Sequence, residues 1–469
     1  MKKFKPGPIA APAYYCLNFR KILPALVLVF VLSARLFAQT ADEAKLIAPE
    51  LLQQDFRILK DSLQKLHAGL YTYKTKEQIT ELFNNCEAKL NNPMTLTKFY
   101  SVVRYLISGI EDGHTSAFLP PDFNKKLISQ AKLFPLIVRF IGSKAYTTCE
   151  SEGLAAATEI TAIDGHPVNE LRKDFFTYIQ SDGQSQGGKY AELNDGDSPL
   201  LYLYYLVYGE RLTFDITFKG LDGMIKHKHI DAKQFKDIAC HPTPIPVTRY
   251  LKLAYQPGDV AVMTIKSFFN ERLDVTHENL TDFLQNSFKK LDEKHIKKLI
   301  IDLRDNIGGN DGNGALLISY LTARPFRYYA SIETTTRKFD VKDQDLLALQ
   351  QPRQGNFKGT VFMLINGKSF SATTDVCGIA RQFANIKFIG EETGGGYYGN
   401  TSGARTTLYL PNTQIKVNVP LWKYKAAVKP LKYKDRGIIP DYPVTPTITD
   451  YIQHKDVQMD YAIKLANRD

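Results

Sequence analysis

Cysteine is scarce in this chain, with 5 in 469 residues, and there is a single tryptophan. So few cysteines exclude a disulfide-built scaffold, and no two of them have Cys-x-x-Cys spacing, which argues against a zinc or redox motif. With 30 glycines and 23 prolines the chain is too poor in both for a collagen-like or low-complexity class. Beyond residue 38 there is no run of five or six basic residues and no stretch of 18 uninterrupted apolar ones. The formal charge of +11 suggests nucleic acid at first sight, but residues 1–38 hold six Lys or Arg and no Asp or Glu. The remaining 431 residues carry +5. Their densest basic segment, Lys423 to Arg436, reads as a solvated face, so no nucleic-acid partner is expected.

What is present begins with an export signal. Arg20-Lys21 closes a basic segment, Ile22 to Leu32 is an apolar run, and Leu36-Phe37-Ala38-Gln39 follows. A charged region, a short apolar core and a small residue before the cut describe a secretory signal, with cleavage expected after Ala38. The apolar core is shorter than the roughly 20 residues a span needs, so no stable membrane insertion is expected after cleavage. Cys16 precedes the apolar run and so does not sit as a lipoprotein cysteine. The chain is therefore expected in the periplasm or secreted. Export permits disulfides, yet Cys86, Cys149, Cys240 and Cys377 read most simply as buried free thiols.

Three stretches follow. Leu52, Phe56, Leu59, Leu63 and Leu66 mark one helix face, Ile79 to Leu90 a second, and Leu96 to Ile110 a third. Gly113 is the expected terminator of the third helix. From about Ala131 to Ala232 short strands dominate, with turns at Asp164-Gly165 and Gly220 to Gly223. From about Val247 strands and helices alternate: strands at Asp259–Lys266, Lys298–Leu303, Gly359–Ile365 and Lys387–Gly390, helices at His277–Leu291, Ala315–Leu321 and after Ser371. Such alternation predicts an α/β core with largely parallel strands.

Two loops of that core carry candidate chemistry. Arg304-Asp305-Asn306-Ile307-Gly308-Gly309-Asn310 lies between a strand and a helix, where backbone N–H groups can face an anion. It lacks a Gly-Lys-Ser/Thr sequence and a GxGxxG register, which excludes the usual nucleotide loops, and its acidic spacing fails the EF-hand pattern. Its better use is an oxyanion hole. Ser371 lies at a strand-to-helix turn, the position of an exposed nucleophile; the plainer alternative is that Ser369 or Ser371 only caps the helix. A serine nucleophile needs a base, and His114, on a turn beside Asp112, is one candidate among 9 histidines. His227 and His229 share a strand face but lack a third ligand nearby. Pattern alone stops at an exported three-part protein with a candidate serine site.

Several motifs taken together say more. Lys298 to Gly309 (KLIIDLRDNIGG) resembles the LILDLRxNxGG motif of the tail-specific, or C-terminal processing, and tricorn-type serine peptidases. Asn366 to Asp375 (NGKSFSATTD) resembles their nucleophile segment, Phe388 to Gly395 their xxGExTxG loop, Asp435 to Asp441 their GxxPD motif, and Glu111 to Thr115 their DxHT turn. The motifs fall in the family's order across nearly the whole chain after the signal. The resemblance implies a multidomain α+β protein: a signal peptide at 1–38, a helical N-terminal domain at 39–126, a divergent PDZ-like β domain at 127–240 and a crotonase-like α/β catalytic core at 241–469. It implies a serine endopeptidase acting on a peptide or protein, without metal or organic cofactor. Ser371 is then the nucleophile, and the N–H of Ala372 with that of Gly308 or Gly309 forms the oxyanion hole. Tail-specific members use a lysine base, but ungapped alignment from Ser371 puts Gly396 in its place. Tricorn-type members use an upstream histidine, which implies His114 as base, with Asp435 as the acidic residue supporting it. The rival expectations are a non-catalytic binder of peptides or hydrophobic ligands on the same fold, and a scaffold using only the PDZ-like domain.

Overall fold

The computed structural model describes residues 45–196, 199–220, 222–241, 246–383 and 385–468. The expected signal segment lies outside them. The fold is mixed α/β, and its hydrophobic residues gather in clusters that follow the three stretches.

The first cluster is built by helices α1 (Pro49–Leu66), α2 (Lys76–Glu87) and α3 (Leu96–Ile110). Thr75 and Gln78 form a capping box at the start of α2, and the Thr95 hydroxyl caps α3, satisfying N–H groups that a helix start leaves unpaired. The buried faces read as expected, but they do not close on each other alone. Leu410, Ile415, Val417 and Val419, three hundred residues further on, complete the cluster. The turn after α3 differs from expectation. Glu111, at φ 63°, is the left-handed residue that ends the helix, and Gly113 is not among the positive-φ residues. Gly113 matters through packing, because a Cβ there would lie 2.9 Å from the Phe370 ring.

The second cluster contains an antiparallel sheet of Val138–Ile141, Lys144–Thr147, Glu159–Ile163, Thr213–Lys219 and Ile225–Asp231, with helices Val168–Phe176, Gln186–Leu193 and Pro199–Tyr208 packed on it. The last two helices escape a periodicity search: PLLYLYYLVY is apolar all round, and QGGKYAEL holds two glycines. A disulfide joins Cys149, just after the second strand, to Cys240 at the far end of this stretch. That corrects the free-thiol expectation for these two. Only the fold brings partners 91 residues apart to a Cα–Cα distance of 6.2 Å. Cys86 and Cys377 are free and buried, as expected.

The third unit is a six-stranded sheet. Its order is Tyr442–Pro443, Ile386–Gly390, Thr360–Ile365, Lys298–Asp302, Val260–Ile265, Leu251–Gln256, and all neighbours run parallel except the last pair. Ile300 pairs with Phe362 on one side and Val262 on the other. Helices cover both faces, so these strands read as continuous apolar runs. A second sheet joins Ser116–Phe118, Tyr329–Glu333 and a long hairpin, Thr401–Tyr409 with Lys416–Ala426. Pairing of Ser116–Phe118 with residues 416–418 fastens the turn after α3 to the core.

Candidate active site

In an open parallel sheet, ligands bind beyond the carboxyl ends of the strands. Three adjacent strands here deliver three loops to that end: 303–310 after Lys298–Asp302, 366–371 after Thr360–Ile365, and 391–396 after Ile386–Gly390. Much of the motif sequence turns out to hold these loops in place. Arg304 pairs with Asp302 at 2.9 Å and with Asp456 at 2.6 Å, pinning the first loop to the C-terminal helix. The Asn306 side chain, fully buried, donates to Ile265 O at 3.0 Å and accepts from Gly308 N at 3.0 Å. Glu392 accepts two bonds from Arg436, at 2.7 and 2.6 Å, and one from Gly437 N. Ser369 donates to Leu303 O at 2.9 Å and accepts from Asn366 N at 3.1 Å, tying the second loop to the first.

Ser371 is different from Ser369. It precedes helix Ala372–Ala380 at φ 55°, ψ −130°, and its side chain makes no capping bond. A non-glycine residue in that conformation costs of order 1–3 kcal/mol, and such strain gathers at functional sites. The capping alternative is therefore not what Ser371 does. Its Oγ lies 3.1 Å from Nε2 of His114, 257 residues away in sequence. Phe370 stacks on the His114 ring with centroids 4.6 Å apart. Burial pushes the His114 pKa below its usual value, opposed by the nearby Asp112 carboxylate. A group held neutral near pH 7 is suited to take a proton.

Gly308 and Gly309, at φ 101° and 137°, occupy backbone space closed to L-residues. A Cβ on Gly308 would lie 2.8 Å from Ser371 Cβ and 3.0 Å from Ala372 N, so this loop touches the serine directly. The Gly308 N–H is engaged by Asn306, whereas Ala372 is the first residue of its helix and has no acceptor within it.

Asp435 does not come to His114. Among the described residues its carboxylate makes no hydrogen bond or ion pair; its backbone O accepts from Gln184 N at 2.6 Å. The reason is local, since a Cβ on Gly183 would lie 2.5 Å from that carbonyl: the loop packs backbone to backbone. The carboxylates beside His114 are Asp112 and Asp182. Asp112 Oδ1 accepts from His114 N, Thr115 N and the Thr115 hydroxyl at 2.9, 2.9 and 3.0 Å. Asp182 accepts from Gly113 N at 2.8 Å and from Gly396 N at 3.1 Å. Burial, with the Asp112 charge adding to it, pushes Asp182 up to about 7. Nothing in the sequence around Asp182 singles it out. Gly396, where the lysine of the tail-specific members falls, faces the Tyr73 hydroxyl, which a Cβ would approach to 2.2 Å. His227 and His229 stay on an exposed strand, bonded to Thr217 and Asp215.

Residues 259–444 match the model of peptidase family S41. The chain carries an S41 serine-peptidase domain over that stretch. No curated protein matches it. Among solved structures, the chain resembles mature CPAF at 14% identity and a TM-score of 0.60, over 89% of this chain and 97% of that one. Mature CPAF complexed with lactacystin gives 13%, 0.60, 89% and 98%. The photosystem II D1 C-terminal processing protease is more distant, at 15% identity and a TM-score of 0.41 over 84% and 93%. At such identity the CPAF likeness is one of fold, and it spans almost the whole described chain. Among the described residues no helix is long and apolar enough to cross a membrane.

Proposed function

We propose that this S41 peptidase is an exported endopeptidase that cleaves peptide bonds through an acyl-enzyme on Ser371, with His114 as general base. The contact of 3.1 Å between Ser371 Oγ and His114 Nε2 carries the reading. As Oγ attacks the scissile carbonyl carbon, Nε2 takes its proton and then gives it to the leaving amine; a water completes hydrolysis by the same route. The carbonyl oxygen, now an anion, is met by the N–H of Ala372 and by that of Gly309. Gly308 O accepts from Phe268 N, so in a trans peptide the Gly309 N–H points the opposite way, away from Phe268. Proton transfer to Nε2 requires the other proton on Nδ1, and the carboxylates in place to stabilise the imidazolium are Asp112 and Asp182, not Asp435.

The disulfide between Cys149 and Cys240 supports export to an oxidising compartment, periplasmic or external. The antiparallel sheet with its packed helix supports a PDZ-like role for residues 127–240, and the parallel sheet a crotonase-like core for 241–469, with the helices at 39–126 as cap. The test is fluorophosphonate labelling of the purified protein. Wild type labels; Ser371→Ala and His114→Ala do not, and peptide hydrolysis falls by on the order of 10⁴–10⁶ in kcat for Ser371→Ala. Unchanged hydrolysis by Ser371→Ala would sink the assignment, and no labelling of folded wild type would favour a non-catalytic binder.

A further inference from the structure

Beside the serine, two carboxylates and an imidazole converge with no cation among them. Asp112, His114 and Asp182 each offer one ligand atom, and the three atoms lie within 4.8 Å of one another. Asp112 and Asp182 are 3% and 1% exposed. His114 Nε2 faces Ser371, so the nitrogen left for a further partner is Nδ1, which is buried and has no hydrogen-bond partner. Each oxygen of Asp182 accepts one backbone N–H, leaving a lone pair on both. Among the described residues no Lys or Arg pairs with either carboxylate. The one ion-pair neighbour is His67, with Nε2 3.7 Å from Asp112 Oδ2. His67 Nδ1 accepts from Gly69 N, so Nε2 carries the proton and serves Thr115 Oγ1. A cavity of about 220 Å³ reaches Asp112 and Asp182, with Tyr73 and Asn400 also on its wall and Lys423 and Lys425 lining it too.

We propose that Asp112, His114 Nδ1 and Asp182 form a divalent-metal site, and that zinc bound there reversibly switches the peptidase off. One imidazole nitrogen and two carboxylate oxygens are a donor set that favours zinc over magnesium or calcium, and three protein ligands leave the fourth position to a water from the cavity. Two buried carboxylates with no Lys or Arg paired to them among the described residues already favour a cation. The switch follows from tautomerism. A metal on Nδ1 obliges the ring proton to sit on Nε2, and an Nε2–H donates to Ser371 Oγ instead of receiving its proton. No proton is lost from the ring; it moves from the distal nitrogen to the one that must be empty for catalysis. The ion is an inhibitor here, not a cofactor. The switching half rests on His114 being the base, whereas the binding half does not.

The test is calorimetric titration of zinc chloride into the metal-stripped full chain, using wild type and Ser371→Ala, which keeps every ligand. Both bind one equivalent tightly. His114→Ala and Asp182→Asn weaken binding by about 100-fold or more, against the 10–100-fold typical of losing an outer-shell partner. A double variant, His227→Ala with His229→Ala, removes the exposed strand pair and leaves the affinity unchanged. Two ligand variants are used, each checked for folding by circular dichroism, so that one misfolded protein does not decide the outcome. No binding by folded Ser371→Ala, equal affinity in both ligand variants, or loss in the His227/His229 double variant would overturn the site. In wild type, zinc abolishes fluorophosphonate labelling and a chelator restores it; binding at the site with labelling unaffected would overturn the switch. A metal-free wild type that never labels would instead count against the peptidase mechanism, while calorimetry still decides the site.

Discussion

Placing a lysine at position 396, where the tail-specific members carry theirs, should not rescue a chain that lacks His114. A Cβ at 396 would lie 2.2 Å from the Tyr73 hydroxyl and 3.3 Å from both Asp182 Cβ and Gly399 O. Carbon and oxygen in ordinary contact stand near 3.4 Å, so the overlap is about 1 Å. The backbone has little freedom to retreat, because Gly396 N is held by Asp182 at 3.1 Å and Tyr397 N by Arg436 O at 3.1 Å. Tyr73 must move instead, and its ring already rests against Gly183, where a Cβ would meet Cδ1 at 3.0 Å. Overpacking of this kind costs about 1–3 kcal/mol. At about 2–4 °C per kcal/mol for a unit of 150–250 residues, Tm falls by about 2–12 °C. The incoming amine would also arrive beside Asp112 and Asp182, which stabilise its protonated form and spoil it as a base. The assay is peptide hydrolysis by His114→Ala with and without Gly396→Lys, from about pH 6 to about pH 10. The two should agree within about threefold throughout. A rescue of about 100-fold with an alkaline limb would refute the steric argument, since it would mean a lysine at 396 does reach Ser371.

Further outcomes follow from the same geometry. In peptide hydrolysis, kcat/KM rises with pH through a midpoint below 6.5, because burial lowers the His114 pKa and only the neutral ring accepts the serine proton; a midpoint above 6.5 contradicts this. Ser371→Gly melts higher than Ser371→Ala by the strain at φ 55°, on the order of 1 kcal/mol or more in calorimetry, and both are inactive. Asn306→Ala strips two buried bonds, lowering stability by about 2–4 kcal/mol in denaturant titration, and it slows hydrolysis by loosening the Gly308-Gly309 loop. Reducing the Cys149–Cys240 bridge, which spans 91 residues, removes about 2–5 kcal/mol, visible as a lower Tm under reductant.

The parallel core was legible because each of its strands is an apolar run with both faces covered, and because the loops after them carry glycine and asparagine for backbone reasons. Ser371 and His114 could be named from motif order, and their side chains do meet. The supporting carboxylate could not. Asp435 lies near the site in the chain's folded path, but whether its carboxylate or its carbonyl turns inward depends on how residues 183 and 435 pack, which no local pattern records. Asp182 was invisible for the same reason: it is polar, buried and isolated in sequence. The hairpin of Thr401–Tyr409 and Lys416–Ala426 escaped because the exposed positions of its first strand show weak alternation. The disulfide depended on long-range proximity that spacing does not encode.

The hairpin has one more consequence, which concerns time. His114 and its turn are made early in synthesis, Ser371 late, and the pairing that fastens Ser116–Phe118 waits for residues 416–418. The Thr401 hydroxyl, which binds Asp112, and the Arg436–Glu392 clasp come from the same late segment. A chain elongated as far as residue 400 thus contains nucleophile and base but lacks the strand that pairs with Ser116–Phe118. The segment that fastens the His114 turn to the core is among the last of the chain to be made.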